Sequence, residues 1–173
     1  MKRILITLFV LSSLTLQAQN LKSQLLPSFE VRVGQGIEFY SHPYNDYREL
    51  PRTSVLVQTN YNIFMFAAGY DYILMMRSSA HESAVNVRGG IQMDLGRRFS
   101  WDTYICAEKI FHTEQPIPML FGYGLSCSFR LGGIVHIFAD LRAEYPLFQQ
   151  RYTYYKTLST CASVGIKLKF QYK

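Results

Sequence analysis

The chain has 173 residues, enough for one domain with an interior of its own, and carries 18 Lys and Arg against 12 Asp and Glu. That excess is mild and dispersed along the chain, which argues against a nucleic-acid surface. Charged residues are 17% of the chain and aromatics 15%, too few of the first and too many of the second to coat an ordinary water-facing exterior.

Met1-Lys2-Arg3 is a charged start, and the apolar run from Ile4 to Leu16 is too short to cross a bilayer as a helix. With Leu16-Gln17-Ala18 as a cleavage context, residues 1–18 are expected to be an export signal and 19–173 the mature domain. Removing Lys2 and Arg3 leaves 16 basic against 12 acidic residues, or +4. No cysteine follows the cleavage point closely, so no lipid anchor is expected. No later stretch has the ~20 consecutive apolar residues of a spanning helix, so a membrane-embedded chain would have to cross with strands.

Beyond Pro27 apolar residues alternate with polar ones, the period of a β-strand, in eight segments. The first, Ser28 to Tyr40, sets Phe29, Val31, Val33, Ile37 and Phe39 against Glu30, Arg32, Gly34, Gly36 and Glu38. A polar loop from Ser41 to Pro51 precedes the second, Arg52 to Asn60, and a tight turn at Tyr61-Asn62 leads to the third, Ile63 to Met75. Met76 to Ser83 reads as a loop. The fourth segment, Ala84 to Gly96, opposes Val85, Val87, Ile91, Met93 and Leu95 to Asn86, Arg88, Gly90, Gln92 and Asp94.

After the Gly96-Arg97-Arg98 turn comes the fifth, Phe99 to Phe111, then a loop from His112 to Pro118 and the sixth, Met119 to Leu131. Gly132-Gly133 is a two-residue hairpin signal before the seventh, Ile134 to Leu147. Phe148 to Lys156 is the last loop, and Thr157 to Tyr172 the eighth segment. Connections alternate long and short, so all the long ones fall at one end of the structure.

An even number of such strands with alternating connections predicts an all-β, eight-stranded antiparallel up-and-down transmembrane barrel. A soluble lipocalin-like carrier would put the apolar face inside; a membrane barrel reverses the faces. Volume decides between them: the apolar face is crowded with large side chains, while the charged face carries Gly34, Gly36, Gly90, Gly122, Gly124 and Gly165, which suit a cramped lumen. Aromatics near strand ends, such as Phe29, Phe99, Phe111, Phe170 and Tyr172, fit interfacial girdles. Open edges are costly in lipid, so the eighth strand should close on the first.

Buried charges need partners, and the inward face supplies both signs. The expected lumen network comprises Glu30, Arg32, Glu38, Asp71, Arg88, Asp94, Asp102, Glu108, Arg130, Asp140, Arg142, Glu144, Lys167 and Lys169. Near balance predicts a filled lumen without an open pore. His136 is expected inside, hydrogen-bonded beside Asp140.

The export signal, the eight segments and the closing strand with Ile166, Leu168, Phe170 and Tyr172 resemble the small eight-stranded outer-membrane β-barrels of Gram-negative bacteria, with a look similar to those of Bacteroidetes-type bacteria. The terminal Lys173 departs from that family's usual final aromatic. The resemblance implies a monomer in the cell outer membrane, in contact with membrane lipid and lipopolysaccharide and inserted by the barrel-assembly machinery. It implies a structural or adhesive role through exposed loops.

Some small barrels act on lipid A, and His81-Glu82-Ser83 resembles the His-x-Ser arrangement of lipid A deacylases, in which the His deprotonates the Ser for acyl transfer and an acid orients it. A plain solvated loop accounts for these three residues as well, and no catalytic site is assigned. His42, His81 and His112 lack a metal-ligand spacing, so neither metal nor cofactor is expected. Gly34-Gln35-Gly36 and Gly122-Tyr123-Gly124 precede no helix and are not phosphate loops. Tyr44, Tyr47, Tyr152, Tyr154 and Tyr155 suit either a contact surface or an upper girdle. Cys106, Cys127 and Cys161, odd in number and far apart, read as three small buried residues, with one bridge left open.

Overall fold

The computed structural model describes residues 27–41, 47–74, 81–111, 119–146 and 158–171. The expected export signal over residues 1–18 lies outside them, as do His42, Tyr44, His112, Tyr152, Tyr154 and Tyr155. The strands are β1 (Ser28–Ser41), β2 (Tyr47–Tyr61), β3 (Phe64–Leu74), β4 (His81–Leu95), β5 (Phe99–Phe111), β6 (Met119–Gly132), β7 (Val135–Pro146) and β8 (Ser159–Gln171). Each pairs antiparallel with its neighbours in sequence, and β8 returns to β1, closing the barrel.

The register can be followed around the wall. From Glu30 it runs to Gln58, Ala67, Arg88, Cys106, Gly122, Glu144 and Ser159, and re-enters β1 at Tyr40. The return is displaced by ten residues (40 − 30), a stagger that tilts every strand against the barrel axis. Because of it, residues far apart in number reach one level of the lumen.

Two strands begin three or more residues earlier than the sequence expectation. β2 begins at Tyr47 rather than Arg52, because Tyr47 to Pro51 continue the ladder with β1, Ser41 opposite Tyr47 and Ile37 opposite Pro51. Among the described residues the β2–β3 ladder starts at Arg52, and Pro51 is not paired with Leu74, so its missing N–H costs little there. β4 begins at His81, since His81 to Ser83 pair with Leu74 to Tyr72.

At one end β2–β3, β4–β5 and β6–β7 are joined by turns of two, three and two residues; the other four connections run five, six, seven and twelve. The tight turns rest on left-handed backbone, Asn62 at φ 59° and Gly133 at φ 53°.

The faces are inverted relative to a water-soluble protein. Val33, Phe66, Ile105, Tyr123, Leu141 and Val164 are exposed, while Glu30, Arg32, Arg52, Glu108, Arg142 and Lys167 are buried. A wall of this kind is compatible with hydrocarbon outside, because closure also leaves no unpaired edge. Trp101 on the outer face donates its indole N–H to Thr103 Oγ1 at 3.1 Å, two residues along the same face, which satisfies a donor that lipid cannot. Phe29 and Phe170 meet at 6.4 Å across the β1–β8 seam.

Candidate functional site: the ion-paired lumen

The inner face divides into three levels. Nearest the tight turns, Glu30 is a carboxylate hub. Arg32 donates to it at 2.9 Å, the Asn60 and Gln92 amides each at 3.1 Å, and the Lys167 and Lys169 ammonium groups stand 3.3 and 3.7 Å away. Arg32 also donates to Asp102 at 2.5 Å and Ser126 at 3.2 Å. Lys169 lies 3.4 Å from Asp94. Three cations therefore meet three carboxylates, and charge-assisted hydrogen bonds satisfy most of the polar atoms.

The middle level is aromatic. Tyr104 donates to Asp140 at 2.6 Å and accepts from Arg88 at 3.0 Å, and Arg88 lies 4.7 Å from the Tyr104 ring centroid and pairs with Asp140 at 3.2 Å. Arg32 reaches 5.8 Å from the Phe138 centroid, a second cation over a ring face. The inward glycines make room for these rings. A Cβ on Gly124 would collide with the Tyr104 ring, and one on Gly165 would lie 2.8 Å from Phe138 Cε1.

Toward the long connections, Arg52 is a guanidinium hub. It donates to Glu38 at 2.8 Å, to Asp71 at 2.6 Å and to Glu108. Glu38 is further bonded by Ser159 at 2.6 Å, and Asp71 by Asn86. Arg142 stands 3.2 Å from Glu108 and 3.4 Å from Glu144, but its Nε and Nη1 lack hydrogen-bond geometry, so it is held by charge rather than direction. Two guanidiniums serve four carboxylates here. Above this level Ala84, Ile110 and Leu120 form an apolar layer inside the barrel, with Leu50 and Ile73 beside it. With Leu56, Met65, Ala67 and Cys106 around Tyr104, the lumen is partly apolar rather than polar throughout. Apolar fill in a narrow barrel requires no partner, and alternation alone does not reveal it.

Glu30, Arg32, Glu38, Asp71, Arg88, Asp102, Glu108, Asp140, Arg142, Glu144 and Lys167 all lie buried inside, and Lys169 and Asp94 stand at the mouth. Arg130 is a correction: it is exposed at the rim, its Nε donating to Gly133 O at 2.8 Å. A register shift between Arg130 and Gly132 ends the regular ladder there, so the side chain stays at the opening. His136 is a second: it is buried near the rim, and its Nδ1 has no hydrogen-bond partner, Asp140 included. Sequence reasoning misses Arg52, the upper hub, although it opens the expected second strand, because the polar face read there begins only at Ser54. The even-numbered face of β2, Ser54, Gln58 and Asn60, extended backward reaches it. Glu82, buried in β4, is hidden by the loop assignment of Met76 to Ser83.

The His81-Glu82-Ser83 triplet lies in strand, not loop. Alternation sends the buried Glu82 to the face opposite Ser83, so the acid and the hydroxyl do not share a side of the wall. Cys106, Cys127 and Cys161 are all free thiols, and Cys106 donates to Glu144 at 3.4 Å.

No family model matches the chain, and no curated protein does. Among solved structures it is similar to Neisserial surface protein A (TM-score 0.58, 12% identity, 83% of this chain and 97% of that one). It is similar to Ail, the attachment invasion locus protein of Yersinia pestis (0.55, 10%, 83% and 97%). The N-terminal β-barrel domain of Pseudomonas aeruginosa OprF gives 0.54 at 12% identity, with 83% and 97% covered. At such identities the likeness speaks for the fold alone: the chain has the closed, eight-stranded antiparallel β-barrel fold of these proteins.

Proposed function

We propose that the protein is a monomeric integral barrel of the outer membrane with a plugged lumen, serving as a structural element or contact surface through its long connections. The observation that carries this reading is the inversion of faces on a closed wall, with ion pairs inside and large apolar side chains outside. The tight turns then face the periplasm and the four long connections the cell exterior. Attachment, the role for which the Yersinia pestis neighbour is named, is the kind of role such connections suit. The narrower kinship with barrels of Bacteroidetes-type bacteria, cleavage after Ala18, contact with lipopolysaccharide and insertion by the assembly machinery belong to this proposal and rest on the sequence pattern.

A lipid-A-modifying enzyme is the less favoured reading, since Glu82 faces away from Ser83. A soluble carrier needs the opposite arrangement of faces.

Membrane fractionation with gel mobility tests the barrel. Unboiled protein from the membrane fraction should run faster than boiled protein, and a soluble, unshifted band would overturn the reading. In planar bilayers no stable unit conductance step is expected, because buried side chains fill each level of the lumen. An unchanged lipid A mass profile on expression would exclude the enzymatic alternative.

A further inference from the structure

A cavity of about 480 Å³ opens at the tight-turn end, lined by Arg97, Arg98, Arg130 and Lys169 together with Asp94 and His136. Backbone bonds assemble it. Arg130 N donates to Arg98 O at 2.7 Å, drawing the β4–β5 turn onto β6, and Lys169 N donates to Ile134 O at 2.9 Å, tying the β6–β7 turn to β8. Three arginines, Arg97 and Arg98 from the β4–β5 turn and Arg130 from the end of β6, thus flank one opening. Lys169 is balanced by Asp94 and Glu30, whereas Arg97, Arg98 and Arg130 have no ion pair among the described residues. His136 adds a buried ring nitrogen without a partner. An uncompensated concave set of guanidiniums favours an anion with several acceptor oxygens, and planar guanidinium matches phosphate oxygens in pairs.

An apolar groove of about 530 Å³ runs over the outer face of β6, β7 and β8, walled by Phe129, Ile137 and Ile166 and floored by Ala139 and Gly165. Phe99 lines both the groove and the cationic cavity. The two therefore adjoin at Phe99, an anion cradle beside an apolar groove. That adjacency favours an occupant with both an anionic and an apolar part.

We propose that the tight-turn mouth binds an anionic phospholipid, its phosphodiester headgroup among Arg97, Arg98 and Arg130 and one acyl chain in the groove beside Phe99. The site rests on the membrane reading above, since a bilayer leaflet presents such a molecule at this rim. It lies at the end opposite the long connections and is independent of what they contact.

The test is native mass spectrometry of the full chain, delipidated in detergent and offered phosphatidylglycerol, phosphatidylcholine with the same acyl chains, or inorganic phosphate. Phosphatidylglycerol should be retained about tenfold more strongly than phosphatidylcholine. R97E/R98E should abolish that preference while keeping heat-modifiable mobility, and Ala139→Phe, which fills the groove, should weaken retention of both lipids. If R97E/R98E loses its heat-modifiable band, R97Q/R98Q serves for the same comparison. Equal retention of the two lipids, or an undiminished preference in the folded arginine variant, would overturn the site. Displacement of phosphatidylglycerol by inorganic phosphate at equal concentration would overturn the lipid assignment in favour of a free anion. A membrane-extracted, heat-modifiable protein that fails these tests loses the lipid site and keeps the barrel.

Discussion

The two ends of the lumen solve the same problem with opposite arrangements. Near the tight turns a carboxylate, Glu30, is surrounded by Arg32, Lys167 and Lys169, and the level is neutral, three charges of each sign. Near the long connections a guanidinium, Arg52, is surrounded by Glu38, Asp71 and Glu108, and with Arg142 and Glu144 that level has two carboxylates in excess. It also holds more buried atoms without a hydrogen bond, including Asp71 Oδ1, Glu108 Oε1 and Glu144 Oε2. Buried charge is tolerated only when its partners remain, so the two levels should differ sharply in which single residue they depend on.

Replacing Arg52 by Met should therefore have the largest effect. It leaves four buried carboxylates to Arg142 alone, and the loss should reach ~3–5 kcal/mol or prevent folding, read as a lower urea midpoint or loss of the fast unboiled band. Glu30→Gln breaks the opposite hub but keeps a carbonyl acceptor and leaves Asp102 and Asp94 to share three cations. A smaller loss of ~2–3 kcal/mol is expected, and a loss equal to that of Arg52→Met would erase the distinction between the ends. Gly124→Ala acts on the aromatic level between them by forcing a methyl against Tyr104, at ~1–3 kcal/mol. Tyr104→Leu in the same chain should recover part of that, since the clash is with the ring. Glu108→Gln should cost least, within about 1 kcal/mol in either direction, because it removes one of the surplus carboxylates. A loss as large as that of Glu30→Gln would mean that the surplus is compensated in a way the ion pairs do not reveal.

Much of the fold is legible in the chain itself. β5 is bounded by Phe99 and Phe111 in both readings, and β1 and β6 each extend one residue further in the structure, because strong alternation ends there in recognisable turns. The sequence shortens β2 because proline is a good turn signal, and only the pairing of Tyr47 to Pro51 with β1 places that stretch in a strand. Arg52, at the first residue of the expected strand, shows no pattern long enough to mark it as a hub. Arg130 shows the converse: its place in the alternation is regular, and a bulge beyond it leaves it at the mouth.

What the sequence determined alone is each residue's side of the wall and the number of crossings, since both follow from a local property, the two-residue pleat interrupted by turns. Which charges meet was decided by tertiary structure. Glu30 touches Lys167 because β8 closes on β1, and Arg52 reaches Glu108 across the lumen because the ten-residue stagger brings distant positions to one level. Such contacts depend on register and closure around all eight strands, and a pattern of period two does not encode either.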